Sequence, residues 1–432
     1  MNRLEEKYIQ SLVHTGPKYY ITVAVLGLII AWALYAYIYQ LIYGLGVTGM
    51  NTPTYWGFYI VNFVFFVGLS AGGVIVASLV QAFNIQKFRS VARIAELLAI
   101  SCLILATIFI TLDLGRPDRI WHLLAYGRLG SPLIWDVIVI TTYLLVGLAY
   151  GYFGTRADLV KCMEAIPQKR RLYRFLALGY TDTSEKALRR DRKILRGLAI
   201  VALPLAVALH SVTAWIMGLL KARPGWHSAL LGPLFVVSAT VSGLALVSLA
   251  VVLGRKLMKL AIKDEVVKAL GRLLFLVIPI LGYFLFAELL TVTFAREPAA
   301  LSIFQEMIYG HFAFIFWFNL VLGLLVPFVI LAFPRARTDF GVGVASLLVV
   351  LGVLAERWNI TIPSQLHADH FLPYPHGVYN LTWVEYSLVV GVYALGVLFF
   401  AICAKLFPLV EIEEEGASPE ERIPSLAEVK KS

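Results

Sequence analysis

The feature that most constrains this chain is a series of ten apolar stretches, near residues 20–46, 54–82, 91–114, 132–154, 194–221, 231–254, 268–293, 311–333, 340–356 and 383–408. Each is long enough to cross roughly 30 Å of hydrocarbon as a helix. The ninth is the shortest. With 59% hydrophobic and only 15% charged residues, the chain has too little polar surface to cover a water-soluble globule. The fold class expected is therefore an all-α integral membrane protein. The first stretch is too long for a signal-peptide core and has no small-residue cleavage site followed by polar sequence, so it reads as retained.

Lys and Arg separate into alternate connections. Lys87 and Arg89, eleven residues in 155–193, Arg255, Lys256, Lys259, Lys263, Arg335 and Arg337 make nineteen on one side; Arg116, Arg119, Arg128, Arg223, Arg296 and Arg357 make six on the other. The positive-inside rule then places both termini in the cytoplasm, and the membrane expected is the inner membrane of a prokaryote. The net charge of +10 is a topology signal and gives no support to nucleic-acid binding. Residues 115–131 break the bias, with three arginines on the side where few are expected, which suggests a local job. The basic 155–193 segment reads as short surface helices that meet anionic lipid or a cytoplasmic subunit. The acidic tail, with Glu411, Glu413, Glu414 and Glu415, reads as a solvated extension.

An internal echo relates spans two to five with spans six to nine: VARIAELLA…LDLGRP against LGRLLFLVI…TVTFAREP, and SAGGVIVASLV against SATVSGLALVSLA. It predicts two four-helix bundles plus one peripheral helix at each end. The divisions expected are 1–53 (N-terminus and first span), 54–221 (first bundle), 231–356 (second bundle), 357–408 (outer loop and last span) and 409–432 (acidic tail). Gly68 and Gly72 have the small-xxx-small spacing of closely packed membrane helices.

An ionisable residue within a bilayer is a functional candidate until it is paired. Few are present: His210 deep in span five, Asp113 ending span three, Asp136 opening span four, Glu96 in span three and Glu288 in span seven. Asp113, Arg116, Asp136, Trp226 and His227 fall near the outer surface, with His210 at mid-depth on a neighbouring helix, so they can converge. Together with the tryptophan-bearing stretches LDLGRPDRIW and WHSALLGP they suit a quinone, which needs donors to two carbonyls, a proton acceptor and aromatic walls. Structural readings compete with this one: an Asp113–Arg116 pair closing a helix, a His210 satisfied between helices, and an Arg93–Glu96 pair one turn apart. Glu96, Arg93 and Glu288 are also candidates for a proton path. No metal is expected. His210 is the only histidine well inside a span, which argues against transmembrane bis-histidine haem, and Cys102, Cys162 and Cys403 lack cluster spacing. His367, Asp369 and His370 read better as part of a structured outer loop than as a metal site.

NFVFFVGLSAGG in span two, LDLGRPDRIW, LHSVTAWIMG in span five, PGWHSALLGPLFVVSATVSG, ERWNITIP and NLTWVEY together resemble the NrfD/PsrC family of membrane quinone-binding subunits, from about residue 54 to 408. The ten-span layout is most similar to its longer branch, which includes DsrP-, Hme- and HybB-type subunits. The resemblance implies a subunit of an oxidoreductase complex, without haem or iron–sulfur cluster of its own. Such a subunit exchanges electrons between menaquinone or ubiquinone and an extracytoplasmic ferredoxin-like iron–sulfur partner, here in sulfur-compound metabolism. It also implies other membrane and cytoplasmic subunits. Ser70 and Ile216 stand where relatives in alternative complex III usually carry histidine and aspartate, so that branch's roles do not transfer to those two positions. A transporter or proton channel is the rival of a different class, although Pro204, Pro279 and Pro327 do not fall at repeat-equivalent places. A structural anchor for peripheral subunits is another.

Overall fold

The computed structural model describes residues 16–366 and 379–407. Ten long helices carry the apolar stretches: α1 Pro17–Tyr43, α2 Phe58–Gln81, α3 Arg89–Asp113, α4 Pro132–Ala165, α5 Glu185–Gly218, α6 Leu231–Leu257, α7 Asp264–Ala295, α8 Ala313–Ala332, α9 Asp339–Thr361 and α10 Trp383–Leu406. Helix is the natural choice here, because a single segment satisfies its own backbone polar groups where lipid offers none. Local chemistry marks the starts. Pro17 and Pro132 open α1 and α4, Ser184 and Thr338 cap α5 and α9, and Thr382 with Glu385 forms a reciprocal capping box on α10.

Helix α2 is the hub. In its most apolar window 89% of residues are buried by protein, against 11% for α1, so α2 is surrounded while α1 lies at the rim. It packs on α3, α5, α6 and α9, while α1 and α10 pair with each other. Small residues permit the tightest crossings. A side chain on Gly72 would strike the Gly243 carbonyl of α6, and Gly323 of α8 lies backbone to backbone with Gly352 of α9. At that second crossing α8 widens into a π-helical segment, Phe318–Leu325, and Asn319 Nδ2 donates to the Gly352 carbonyl at 2.9 Å.

Three spans run further than their hydropathy suggests. The ninth does not stop at residue 356; α9 continues to Thr361 and a short turn, Pro363–Leu366, extends it. Arg357 therefore lies inside the helix packing and not in an outer connection, while Lys221 joins the loop after α5. At the basic end, α4 reaches Ala165 and α5 begins at Glu185, so the expected run of short surface helices shrinks to one, Arg170–Leu176. The extensions are tied together there. Arg156 forms a bidentate pair with Asp191 and sits over the Tyr180 ring at 4.0 Å, above a satellite core of Leu159, Cys162, Ile166 and Tyr173.

Candidate functional site

In the half of the bundle away from the basic end, α5, α6 and α9 meet around a buried polar cluster. His210, Glu356 and Arg357 are all but sealed from solvent, at 3%, 1% and 1% exposure. They lie between about 6 and 12 Å below their helix ends, at the helical rise of 1.5 Å per residue. Ser238 Oγ donates to Glu356 Oε2 at 2.6 Å, and the Arg357 guanidinium stacks over Phe235 with its carbon 4.1 Å from the ring centre. Glu356 and Arg357 do not close on each other: the nearest approach is 3.9 Å, from Nη1 to Oε1. Glu356 Oε1, Arg357 Nε and Nη1, and His210 Nε2 have no hydrogen-bond partner, although His210 lies within electrostatic reach of Arg357. A Gly68 side chain would sit 3.7 Å from Arg357 Nη2, so α2 walls the cluster by offering none. Unpartnered ionisable groups in a membrane interior are costly and call for a ligand or water.

A roof of aromatic and amide groups covers this cluster. Trp56 and Trp226 stack at 5.4 Å, and Trp226 Nε1 donates to the Ile360 carbonyl at 2.6 Å. Gln365 accepts from the Tyr55 and Trp56 amides and donates to the Trp56 carbonyl, while Arg223 reaches the carbonyls of Gln365 and Pro53. Burial lowers the Arg223 pKa. His227, by contrast, is exposed, with Nδ1 3.0 Å from the Gly218 carbonyl. Thus Trp226 belongs to the roof and His227 to its outer rim.

The remaining candidates occupy separate places. Asp113 does not pair with Arg116. Its Oδ1 lacks a partner and it lies in the field of Glu385, beside Tyr59, whose hydroxyl donates to Gln40 at 2.8 Å. Glu385 is saturated, accepting from Tyr379, the Gly49 and Thr382 amides and the Thr382 hydroxyl. Burial, with that carboxylate next to it, pushes the Tyr379 phenol above its ordinary pKa. Arg116 is exposed and bound to Asp118 at 2.9 Å, a contact that holds Asp118 below the usual carboxylate range. Asp136 is buried and accepts from Thr213 at 2.6 Å, one helical turn from His210 on α5. Ser70 spends its hydroxyl on the Val67 carbonyl and receives Tyr143 on its own carbonyl.

Towards the basic end, Glu96 faces a small cavity lined by Tyr143, Tyr150, Gly147 and Ala199. Arg93 directs its guanidinium to Asp158 of α4, at 2.5 Å, and to the Gly154 carbonyl. Glu288 accepts from Ser228 at 2.8 Å, while Thr291 and Thr293 bond carbonyls of their own helix. Among the described residues no group of three or more His, Cys, Asp and Glu side chains could hold a metal. His367, Asp369 and His370 lie outside the described residues.

A family model for polysulphide reductase, NrfD, matches residues 46–369, three-quarters of the chain. The chain belongs to the NrfD family. Its relatives include the membrane subunit of a putative dimethyl sulfoxide reductase from Halobacterium salinarum, 34% identical over 91% of this chain and 92% of its own length. A selenate reductase subunit from Mesobacillus selenatarsenatis is 30% identical over 86% and 90%. An Hdr-like menaquinol oxidoreductase integral membrane subunit from Archaeoglobus fulgidus is 28% identical over 91% and 94%.

In this NrfD-family chain the most conspicuous site residues lie where the hydropathy pattern ends: Glu356 is the last residue of the ninth stretch, and Arg357 falls to the outer connection. A hydropathy window ends at the first charged pair. The signal that the span continues past them is the apolar character that resumes in Trp358, Ile360 and Ile362. The contacts of Glu385 with Gly49 and of Gln365 with Tyr55 carry no such mark, because these partners are more than 300 residues away in sequence.

Proposed function

We propose that this chain is the quinone-interacting membrane subunit of a respiratory oxidoreductase complex, with the headgroup site at the His210–Glu356–Arg357 cluster. The observation that carries the reading is the set of polar atoms left without partners beneath the Trp56–Trp226 roof. Arg357 and His210 can donate to the oxygens of a quinone, and Glu356 can take or give its proton. Phe235 and the tryptophans offer apolar walls. Oxidation of a quinol gives the quinone, two electrons and two protons; reduction runs the same steps backwards. Asp136, bonded to Thr213, orients the helix that carries His210. Asp113 is the group through which a proton reaches the outer end, with Arg116, Ser70 and His227 further from the headgroup.

The electrons pass to an extracytoplasmic iron–sulfur subunit on the outer end, with the basic end and both termini in the cytoplasm of a prokaryotic cell. The relatives named as menaquinol oxidoreductase, selenate reductase and dimethyl sulfoxide reductase subunits support menaquinone as the carrier and a partner of this kind. Sulfur-compound metabolism is the setting the family description favours. Glu96, Arg93 and Glu288 remain candidates for a proton path, Arg93 by way of Asp158. The test is the His210→Ala complex. Loss of a neutral headgroup hydrogen bond lowers quinol turnover roughly tenfold and reduces co-purified quinone. Unchanged quinone content and turnover would remove His210 from the site.

A further inference from the structure

Between the ends of α3 and α4 the surface opens into a cleft of about 580 Å3, within the roughly 300–1,000 Å3 of pockets that hold small molecules. Its rim is cationic: Arg116, Arg119 and Arg128 line it, with His122 beside them. Asp118 is engaged by Arg116, and neither Arg119 nor Arg128 has an ion-pair partner among the described residues. The cleft is therefore net positive, on the end of the molecule where basic residues are otherwise sparse. Its floor is apolar, with Leu114, Leu133 and Ile134.

The floor does not stop at the cleft. Ile134 begins a stripe on one face of α4, continued by Ile138, Thr141, Leu145 and Leu148 at helical spacing. Ile138, Leu145 and Leu148 are 48%, 61% and 46% exposed. The stripe runs about 21 Å at 1.5 Å per residue, longer than the roughly 15 Å of one leaflet's hydrocarbon. Around the rim, Trp121 and Tyr126 are exposed, and Trp135 Nε1 is anchored on the Leu129 carbonyl, which is the chemistry of a membrane–water boundary.

We propose that this cleft binds the phosphate headgroup of an anionic phospholipid, whose acyl chains lie along the α4 stripe. Charge complementarity at the rim and the continuous apolar track below it point to one amphiphile rather than to a soluble anion or a protein surface. The site does not depend on the quinone reading, because it shares no residue with the His210 cluster.

The experiment uses the purified complex, washed in neutral detergent and then exposed to micelles carrying phosphatidylglycerol or phosphatidylcholine. Bound lipid is measured by native mass spectrometry. Wild type retains phosphatidylglycerol in preference to phosphatidylcholine, and Arg119→Gln/Arg128→Gln weakens that retention by roughly fivefold per arginine removed. Arg119→Lys/Arg128→Lys keeps it. Displacement of the lipid by inorganic phosphate alone would make this a free-anion site and overturn the proposal. So would glutamine variants that hold phosphatidylglycerol normally but lose an associated subunit, which marks a protein-docking face. If the glutamine variant does not accumulate, equal retention of the two lipids by wild type would overturn it.

Discussion

The two ends of this molecule treat buried charge in opposite ways. At the basic end the guanidiniums drawn into the helix packing are answered: Arg156 by Asp191, Arg93 by Asp158, and Arg255 by Asp264 and Asp339. At the other end Arg357 is more deeply buried than any of these, yet its adjacent carboxylate stands 3.9 Å off, and polar atoms of Arg357, Glu356 and His210 are left without a hydrogen-bond partner. Both arrangements bear the desolvation cost of a buried ion. Only the first recovers it within the chain. Paired charge fixes helices in place, whereas incompletely paired charge under an aromatic roof leaves donors and an acceptor for the quinone proposed to bind there.

The sharpest break in that comparison comes from Arg156→Ala. It leaves buried Asp191 with only Arg190, 3.7 Å away and half exposed, and should destabilise the protein by up to about 3–5 kcal/mol, seen as a lower unfolding temperature in detergent, with turnover per assembled complex unchanged. Arg357→Met should do the reverse, lowering quinol turnover roughly 10- to 100-fold, as expected for a hydrogen bond to a charged group. If that variant accumulates poorly, adding Glu356→Gln restores accumulation but not turnover. Gly72→Val, which forces a side chain between α2 and α6, should cost about 1–3 kcal/mol, read by the same unfolding measurement, and shift turnover only through loss of assembled complex. The smallest effect is expected of Arg116→Gln. Its exposed pair with Asp118 contributes little to stability, so neither unfolding nor quinol turnover should change measurably.

Much of the fold is legible from hydropathy, because long apolar runs have few alternatives in lipid. All ten runs become helices, and α2, read as a packing helix from Gly68 and Gly72, is the central one. What hydropathy misplaces are the ends. It stops α9 before Arg357 and starts α5 after Asp191, since both windows close on charges that tertiary contacts later bury. The site divides in the same way. His210, Asp136 and Trp226 are visible as polar or aromatic groups in apolar surroundings. Local spacing suggests Asp113 with Arg116 and Arg93 with Glu96, but Arg116 takes Asp118, and Arg93 takes Asp158 across the α3–α4 contact. Periodicity reports which face a residue occupies; it does not report the partner on the next helix.

The most direct test is photolabelling of the intact complex with an azido-quinone, followed by peptide mapping. The account predicts labelled peptides from the outer halves of α5, α6 and α9, around His210, Phe235 and Trp358, with labelling abolished by excess native quinone. Labelling confined to the Glu96 cavity among α2, α3, α4 and the inner half of α5, or absent from this chain, would contradict it.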